Sequence, residues 1–428
     1  MTAGEFASDT IVAVSSGRPP AAIAIVRTSG SVALEAAERL AGPLGRARTA
    51  TLRTLRDPRD GSLIDSAIVL LFAAPHSATG ENLVEYQCHG GKAVVAALIA
   101  ALTSLDHVRE AQPGEFTRRA LSNGKIDLTQ AEGLAELLEA ETEAQRKSAL
   151  ARSQGALRTR IEQWREAVLA HSAELEVAID YSDEEDGSGD GDASDRLLNL
   201  VRQMSELLEA PRVEKLRDGV RVVIAGPPNS GKSSLFNALS GQERAIVTPI
   251  PGTTRDRIEA SLAIGGLAIV LVDTAGLRAA EDVVEQIGVD LAHREIDEAD
   301  VIIWLGDEID RPAHPRLLAV TPKCDLGECE GNSAVSALDG TGLDDLKAAI
   351  GKIAAAIVPA DAQLALNARE SALLSDCRDA LSRAAGLDDP LLAAEELRGA
   401  RYALDMIAGR AGVDDLLDSL FERFCLGK

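Results

Sequence analysis

Short apolar runs separated by turn residues fill the first 118 residues of the chain. The runs at 11–16, 21–27 and 67–74 have the length and the Ile, Val and Ala content of strands. Apolar-rich stretches at 31–41 and 92–105 have the spacing expected of helices. The pattern therefore predicts an α+β fold for the N-terminal part of the chain.

From about residue 120 the apolar positions follow a helical period. One set of side chains is predicted to share a single face of a long helix: Leu157, Ile161, Trp164, Val168, Leu175 and Ile179. Residues 180–195 then contain eight acidic residues, no basic residue and the sequence GSGDGD, which predicts a solvated, flexible loop. A second helical stretch is predicted at 194–217.

Strand-like and helix-like segments alternate between residues 219 and 358. The strand-like runs are VRVVIAG, LAIVLVD, VIIWLG and LLAVTP, and helices are predicted from Lys232, near 285–298 and at 343–355. Such alternation predicts a doubly wound α/β domain. Residues 359–428 are again helical in pattern, so the α/β domain is predicted to interrupt a helical domain that resumes after it.

The chain is strongly acidic, with 44 Lys and Arg residues against 68 Asp and Glu residues and a net charge of −24. General coating of nucleic acid is disfavoured, because neutralising phosphates requires a cationic surface. One stretch, 145–160, has five basic residues and no acidic residue. It is the best candidate for contact with an RNA backbone, and a solvated helix face is an equally good interpretation.

Cysteine usage and apolar runs indicate the compartment. The five cysteines form no CxxC pair, and an odd number in a long chain favours a reducing environment. Glu5 and Asp9 stand where a signal peptide would need a basic and then an apolar run. The longest apolar run, 93–102, is about half as long as a bilayer span requires. The sequence therefore predicts a cytoplasmic protein without a membrane segment.

The sequence GPPNSGKS at 226–233 follows an apolar strand and opens a helix, which is the context of a phosphate-binding P-loop. Its glycines let backbone N–H groups surround phosphates, and the helix N-terminus adds positive potential. Lys232 is expected to reach the β- and γ-phosphates, and Ser233 to ligate Mg²⁺. The nucleotide contacts predicted here are Asn229, Ser230, Gly231, Lys232, Ser233 and Ser234.

Three later segments stand in the order of a guanine-nucleotide switch. PGTTRD offers the Thr254 hydroxyl to Mg²⁺, and DTAG offers Asp273 to Mg²⁺ through water and the Gly276 amide to the γ-phosphate. SALDGTG can place the backbone N–H of Ala337 near a guanine oxygen. The nucleotide contacts predicted in these segments are Thr248, Pro249, Ile250, Pro251, Gly252, Thr253, Thr254, Asp273, Thr274, Ala275, Gly276, Ser336, Ala337 and Leu338.

The choice of base depends on a carboxylate in the sequence PKCD at 322–325. Asp325 can accept both hydrogen bonds that one edge of guanine donates, while Lys323 packs over the base. The usual GTPase sequence has Asn at the position of Pro322, and proline cannot donate to the purine N7 atom. The loss of one hydrogen bond is expected to weaken nucleotide affinity by ~1 kcal/mol.

The residue that orients the attacking water differs from the Ras-like pattern. A Gln follows DTAG in Ras-like proteins, and Leu277 stands there in this chain. Either an arginine finger in trans or a monovalent cation must then stabilise charge between the β- and γ-phosphates. The Asn229 amide oxygen is suited to K⁺, although a turn-forming Asn is an alternative interpretation.

Together with GTTRD, DTAG, Asn229 and the interrupted helical domain, several further motifs resemble the MnmE (TrmE) family of tRNA-modification GTPases. They are DTIVAVSS, AAIAIVRTSG, VEYQCHGG, PGEFTRRALSNGKIDLTQAE and the terminal FCLGK. The resemblance covers nearly the whole chain. It implies an α+β N-terminal folate-binding and dimerisation domain at 1–119, an all-α helical domain at 120–218 and 359–428, and an inserted α/β Ras-like P-loop G domain at 219–358.

The resemblance implies roles around the γ-phosphate. K⁺ would be bound by Asn229 and by backbone groups, chiefly those of Thr248, Ile250 and Thr253, as two G domains meet across a homodimer. Mg²⁺ would be bound by Ser233 and Thr254. Glu285 would orient the attacking water or act as a base, a role that a surface helix residue would not suggest by itself.

The resemblance also implies a site for 5-formyl- or methylene-tetrahydrofolate formed by Arg27, Glu85, Lys125 and Lys428. Glu85 suits the amide donors of a pterin, and the cations suit its glutamate tail; surface ion pairs and a free chain end are the plain alternatives. Cys425 is a candidate nucleophile with a buried structural thiol as the alternative.

The implied activity is a K⁺-stimulated GTPase that works with an FAD-dependent MnmG-type partner in a heterotetramer. The pair would modify the wobble uridine of tRNA at carbon 5, producing an aminomethyl or carboxymethylaminomethyl group. One rival is a regulatory Era-like GTPase in ribosome assembly, which predicts a basic RNA-binding domain after the G domain. Another is a folate-sensing scaffold that does not modify tRNA and whose slow GTP hydrolysis is indifferent to Asn229.

Overall fold

The structure is a computed structural model. It describes residues 9–180, 190–242, 259–274, 294–326, 334–359 and 364–411, together with residues 417, 420, 421, 424 and 427. The chain divides into two compact units: residues up to 135 with those from 405 onward, and residues 136–404. No helix among these described residues is long and apolar enough to cross a membrane.

Six strands form the sheet of the first unit: β1 (Thr10–Val14), β2 (Ile23–Gly30), β3 (Thr51–Arg56), β4 (Leu63–Phe72), β5 (Leu83–His89) and β6 (Val108–Glu110). Their order is β3-β4-β5-β2-β1-β6, and only the β1–β6 pair is parallel. Helices α1 (Ala33–Ala41) and α2 (Lys92–Thr103) contribute Leu40 and Leu98 to a core with Val26 and Tyr86. The predicted α+β fold of this part is confirmed.

Three strands of this sheet, β3, β5 and β6, were not predicted, and one predicted strand is displaced. The run at 67–74 lies mostly inside β4, which begins at Leu63 and ends at Phe72. Strand β3 has the sequence TLRTLR and lies at the edge of the sheet, where Leu55 is buried and Leu52, on the opposite face, is exposed. Its apolar content is too low to be recognised as a continuous run.

The first unit also contains α3 (Glu115–Ser122) and most of α4 (Leu128–Glu139). Leu128 packs with Phe421 and Phe424 from the end of the chain. Gly114 has a φ of +68°, and a Cβ there would lie 2.8 Å from the Phe421 carbonyl oxygen. The backbone approach therefore requires glycine at this position.

The second unit contains a five-stranded sheet made of β7 (Val220–Ala225), β8 (Glu259–Ile264), β9 (Leu267–Asp273), β10 (Val301–Trp304) and β11 (Leu317–Ala319). The order is β11-β10-β7-β9-β8, and all pairs are parallel except β8 with β9. Helices α9 (Lys232–Gln242) and α10 (Leu343–Ile357) cover one face, and residues 296–299 pack on the other. The predicted doubly wound α/β domain is confirmed, although β8 was not predicted.

The remaining helices of the second unit are α5 (Glu143–Ser153), α6 (Ala156–Asp180), α7 (Asp190–Glu209), α8 (Glu214–Arg217), α11 (Ala368–Ala385) and α12 (Pro390–Ile407). Helix α7 precedes the α/β domain and packs along α11, which follows it; Ser194 Oγ donates to the Ala385 carbonyl over 3.0 Å. The α/β domain therefore interrupts a helical array, as predicted. Leu157, Ile161, Trp164 and Val168 of the predicted α6 face are buried, whereas Leu175 and Ile179 are partly exposed.

Two boundaries in this array differ from prediction. The predicted loop at 180–195 is wrong over its last residues, because α7 already begins at Asp190. Acidic residues near a helix N-terminus are attracted by its partial positive charge, so an acidic sequence does not prevent a helix there. The stretch predicted at 194–217 is divided between α7 and α8, with Pro211, which lacks a backbone N–H, between them.

A buried guanidinium lies where an RNA contact was considered. Arg152 is fully buried, and it donates to the Ala365 carbonyl over 2.7 Å and to Glu370 Oε1 over 2.9 Å. Its Nε atom lies 3.3 Å from Glu136 Oε2. Neither interpretation of the stretch 145–160 holds for Arg152, because this side chain reaches neither RNA nor solvent.

Replacing Glu370 with Gln should destabilise the second unit by about 3 kcal/mol at neutral pH, because it leaves a buried charge with a single carboxylate. Burial raises the pKa of the Glu370 carboxyl, but Arg152 lowers it by more, so the pKa lies below its ordinary value of 4.5. The difference in free energy of unfolding between native protein and variant should therefore be largest above pH 4.5. It should disappear as the pH falls through the folded-state pKa of Glu370. Urea unfolding at several pH values measures it.

Glu396→Gln is the matched control, because Glu396 forms an exposed ion pair with Arg383 over 2.8 Å. Its effect should stay below about 1 kcal/mol. Equal losses for the two variants would contradict the assigned role of the buried pair.

Candidate nucleotide-binding site

The P-loop lies between β7 and α9, at the carboxyl end of a central strand. Three of its residues have positive φ: Gly226 (+154°), Asn229 (+60°) and Gly231 (+100°). A Cβ on Gly226 would lie 3.0 Å from the Leu305 carbonyl oxygen, so the loop can pass this close to the end of β10 only with glycine. These conformations turn successive backbone groups toward one concave surface, as phosphate binding requires.

Lys232 is the first residue of α9 and is almost fully buried. Its Nζ donates to the carbonyls of Gly226 (2.9 Å) and Pro227 (2.7 Å) in the same loop. The N-terminus of α9 and this ammonium therefore lie at one end of the loop. This combination favours an anion.

Two oxygen ligands suited to Mg²⁺ meet at the same place. Ser233 Oγ donates to Asp273 Oδ2 over 2.6 Å, and Asp273 is buried at the carboxyl end of β9. The neighbouring Thr274 hydroxyl donates to the Ile224 carbonyl over 2.9 Å and secures the end of this strand on β7. A hydroxyl and a carboxylate are hard donors that fit Mg²⁺.

A cavity of about 300 Å³ lies beside the P-loop. Its walls come from the P-loop side, from the PKCD segment and from the SALDGTG segment, with the lining residues Gly231, Ser234, Leu235, Pro322, Lys323, Asp325, Leu326, Val335, Ala337 and Leu338. Ser336 is fully buried and donates from Oγ to Asp325 Oδ1 over 3.0 Å, which orients the carboxylate. The arrangement places an oriented hydrogen-bond acceptor in a pocket of the size a purine requires.

Lys323 joins the pocket to the P-loop. Its Nζ donates to the Asn229 carbonyl over 2.8 Å, and its own φ of +63° turns the chain at this point. The predicted base-binding and phosphate-binding segments are therefore in direct contact.

Sequence reasoning missed the apolar edge of this cavity. Leu326 and Leu338 line it, although 78% and 84% of their surfaces are exposed. Leu338 was predicted as a nucleotide contact, whereas Leu326 was not predicted. An apolar residue directly after PKCD was the available signal.

Several predicted site residues lie outside the described residues. They are Thr248, Pro249, Ile250, Pro251, Gly252, Thr253, Thr254, Ala275, Gly276, Glu285, Cys425 and Lys428. Their assigned roles stay predictions.

Arg27 and Glu85, two residues considered for folate, face each other across β2 and β5. Arg27 donates from Nε and Nη2 to the same oxygen, Glu85 Oε1, over 3.0 and 2.6 Å. The Arg27 guanidinium also lies 5.8 Å from the centre of the Phe116 ring. The two side chains thus form the ion pair that was the plain alternative, in a partly buried position.

Lys125 lies in the same unit, with Cε 3.1 Å from where a Cβ on Gly80 would be. The residues on either side of Gly80 accept or share hydrogen bonds with Ser29: Thr79 at 2.7 Å and Glu81 at 2.8 Å. Ser29 and Arg27 are two residues apart on β2, so their side chains share one face of the sheet.

The described residue nearest the chain end in sequence, Gly427, approaches this sheet. Ser15 Oγ donates to the Gly427 carbonyl over 2.8 Å, and a Cβ on Gly427 would lie 2.1 Å from the Val14 carbonyl oxygen. Gly427 therefore lies at the β1–β2 end of the first unit.

The described cysteines offer no reactive thiol pair. Burial and the Asp65 charge raise the pKa of Cys88, while its neighbour His89 is exposed and bonds Asp65 over 2.8 Å. The two side chains lie on opposite faces of β5, as adjacent strand residues must. Burial raises the pKa of Cys377 to about 12.

Comparison with known families gives two matches. The family model described as MnmE helical domain matches residues 128–425, and that described as GTP-binding protein TrmE N-terminus matches residues 10–125. The chain is 49% identical over 430 residues to a tRNA modification GTPase MnmE of Rhizorhabdus wittichii, covering 99% of this chain and 98% of that protein. It is 47% identical over 440 residues to the protein of the same name from Novosphingobium aromaticivorans, covering 98% of this chain and all of that protein.

Among solved structures, the G domain of the T. maritima FeoB iron transporter is 27% identical and covers 32% of this chain and 98% of its own. The TM-score is 0.24, which is too low to support an inference.

Pro322→Asn should tighten GDP binding about fivefold, because the new amide can donate one further hydrogen bond to the purine. Pro322→Ala, which removes the ring without adding a donor, should not tighten it. Equilibrium titration with a fluorescent GDP analogue measures both. Equal dissociation constants for the two variants would show that position 322 does not contact the base.

Proposed function

We propose a mechanism from the premise that this chain belongs to the MnmE family of tRNA modification GTPases. It is a GTP hydrolase that acts in tRNA modification. The observation that carries the mechanism is the Lys323–Asn229 hydrogen bond, which joins the candidate base pocket to the P-loop. We infer an N-terminal domain at 1–119, helical segments at 120–218 and 359–428, and a G domain at 219–358.

GTP is proposed to bind with its phosphates on the P-loop and its base in the cavity. Lys232 would exchange the loop carbonyls that it now bonds for the β- and γ-phosphate oxygens. Ser233 and Thr254 would hold Mg²⁺, with Asp273 acting through water. Asp325, already oriented by Ser336, would accept both donors of the guanine edge, which supports guanine over adenine.

K⁺ is proposed as the second metal, held by Asn229, Thr248, Ile250 and Thr253 when two G domains of a homodimer meet. Asn229 is the described member of this set, and its left-handed backbone and bonded carbonyl fix its position in the P-loop, where the phosphates are proposed to bind. When bound, K⁺ would supply the positive charge that an arginine finger gives other GTPases. Glu285 would orient the attacking water.

The first unit is proposed to bind 5-formyl- or methylene-tetrahydrofolate through Arg27, Glu85, Lys125 and Lys428. Both Arg27 bonds end on Glu85 Oε1 and fix the position of the carboxylate, which supports its proposed role as the acceptor for a pterin amide edge. The approach of Gly427 to Val14 supports the inclusion of the chain end. Cys425 is proposed to take part in chemistry at this site.

The complete reaction is proposed to require an FAD-dependent MnmG-type partner, in a heterotetramer in the cytoplasm. It would convert the wobble uridine of tRNA to its 5-aminomethyl or 5-carboxymethylaminomethyl form. The ribosome-assembly alternative is not favoured, since acidic residues outnumber basic ones in 359–428, where that class would carry a basic RNA-binding domain.

The native protein should hydrolyse GTP at least about ten times faster in K⁺ than in Na⁺ at equal ionic strength. The reason is that bound K⁺ would stabilise the transition state by ~1.4 kcal/mol or more. Asn229→Ala should remove the difference and leave the slow Na⁺ rate. Steady-state phosphate release measures both. Equal native rates in the two salts would exclude a K⁺ mechanism.

Glu85→Gln should weaken 5-formyl-tetrahydrofolate binding about tenfold or more, because an NH₂ group replaces one of the two acceptor oxygens that would face the pterin edge and the neutral side chain no longer forms an ion pair with Arg27. GTP turnover should be unchanged. The modified wobble uridine content of tRNA, measured by nucleoside mass spectrometry in cells relying on the variant, should fall.

Glu35→Gln is the control, because it removes only an exposed ion pair with Arg39. Normal wobble uridines in cells that lack this protein altogether would refute the tRNA assignment. Normal folate affinity in Glu85→Gln would refute the folate site alone.

A further inference from the structure

Gln145 near the N-terminus of α5 uses every hydrogen-bonding position of its side chain. Its Oε1 accepts from the backbone N–H groups of Glu141 (2.8 Å) and Thr142 (2.9 Å). Its Nε2 donates to the carbonyls of Leu216 (3.1 Å) and Arg217 (2.9 Å) in α8. A primary amide has two donors and accepts with two lone pairs, so this side chain joins two helix ends with no group unsatisfied.

Helix α8 is firmly attached to the α/β domain. Leu216 is buried in the core beneath the five-stranded sheet. Lys215 Nζ donates to both oxygens of Asp300, over 2.6 and 2.8 Å, and Asp300 Oδ2 also accepts from the Arg221 N–H over 3.0 Å. The carbonyls that Gln145 holds therefore move with the start of β7 and β10.

The same end of β7 connects to the chain that follows both nucleotide-sensing segments. Arg221 pairs with Glu259 over 3.1 Å, and Glu259 is the first residue of β8, after PGTTRD. Arg221 also pairs with Glu295, which is almost fully buried and follows DTAG in sequence. Arg221 therefore contacts the chain that follows each of the two segments.

The other end of α5 is fastened to the helical array. Arg152 lies about two turns after Gln145, donates to Glu370 of α11 and to the Ala365 carbonyl, and forms an ion pair with Glu136 of α4. Ala365 belongs to the segment that leaves the α/β domain. Helix α5 thus contacts the chain on both sides of the insertion.

The incoming and outgoing segments are also bonded to each other. The Val213 N–H donates to the Leu366 carbonyl over 3.1 Å, and the Ala368 N–H donates to Glu214 Oε1 over 2.6 Å. The second bond joins α8 directly to the first residue of α11, and Gln145 and Arg152 supply a further connection through α5.

We propose that Gln145 is a positioning residue that transmits the nucleotide state of the α/β domain through α8 to α5 and the helical array. Its two Nε2 bonds are then required for GTP-dependent tRNA modification and not for GTP hydrolysis. The function follows from its place, because α5 is attached at one end to α8 through Gln145 and at the other, through Arg152, to Glu370 of α11 and the Ala365 carbonyl.

Gln145→Glu isolates these two bonds. A glutamate keeps the acceptor oxygens for Glu141 and Thr142 but has no donor for the α8 carbonyls, and its charge faces the negative end of that helix. The modified uridine content of tRNA in cells relying on the variant should fall about tenfold, which corresponds to loss of two hydrogen bonds. GTP turnover of the purified variant should stay within about twofold of native, since a surface this far from the phosphates contributes no transition-state contact.

Thr142→Ala is the matched control. It removes the bond from the Gln145 N–H to Thr142 Oγ1 (3.3 Å) and weakens the α5 cap, but leaves both Nε2 donors in place. Hydrogen–deuterium exchange of peptides covering 143–153, with GDP and with a non-hydrolysable GTP analogue, reports the coupling directly. Native protein and Thr142→Ala should show a nucleotide-dependent difference, and Gln145→Glu should not.

Three outcomes would overturn the proposal: native exchange in α5 that ignores the nucleotide, a retained difference in Gln145→Glu, or equal loss of modification in Thr142→Ala. A parallel fall in GTP turnover and modification would also overturn it, because Gln145 would then act on the nucleotide site. The exchange measurement needs no tRNA chemistry, so it stands even if the proposed wobble reaction is wrong.

Discussion

The stability of the second unit depends on partners for the buried guanidinium of Arg152. A charge removed from water costs several kcal/mol unless carboxylates and carbonyls surround it, so its partners must all be in place before the unit is stable. These partners are Glu136 of α4, the Ala365 carbonyl and Glu370 of α11. One side chain therefore fixes the relative positions of helices that the inserted α/β domain separates in sequence.

The five-stranded sheet of the second unit positions the candidate nucleotide site. Parallel strands bring their carboxyl ends to one edge, where loops from distant parts of the chain meet. That edge collects the P-loop after β7, Asp273 at the end of β9 and Lys323 after β11. The opposite edge holds Arg221 and Asp300, so each central strand connects the phosphate-binding loops with the contacts made by α8 and α5. Binding and transmission thus use the same rigid elements.

Sequence alone predicted the parts of this protein that have a local signature. The P-loop needs a strand, glycines and a helix in immediate succession, and the base-binding segments follow it in a fixed order, so the meeting of Lys323, Asp325 and Ser336 could be anticipated. Arg152 was misjudged because a sequence shows a charge but not its burial, and Glu370 lies 218 residues away. Gln145 was not noticed because a capping residue with two further donors looks like any polar helix residue. Long-range pairing, not local preference, decides both positions.

The leucine edge of the base cavity has a consequence for the protein between rounds of hydrolysis. Leu326 and Leu338 present most of their surface to water, and a bound purine would cover part of it. Release of the product nucleotide would expose this apolar surface to solvent again. This cost opposes dissociation independently of any phosphate contact. A nucleotide-free molecule would expose this small apolar surface. The lifetime of the nucleotide-free state therefore affects self-association of the protein as well as its turnover.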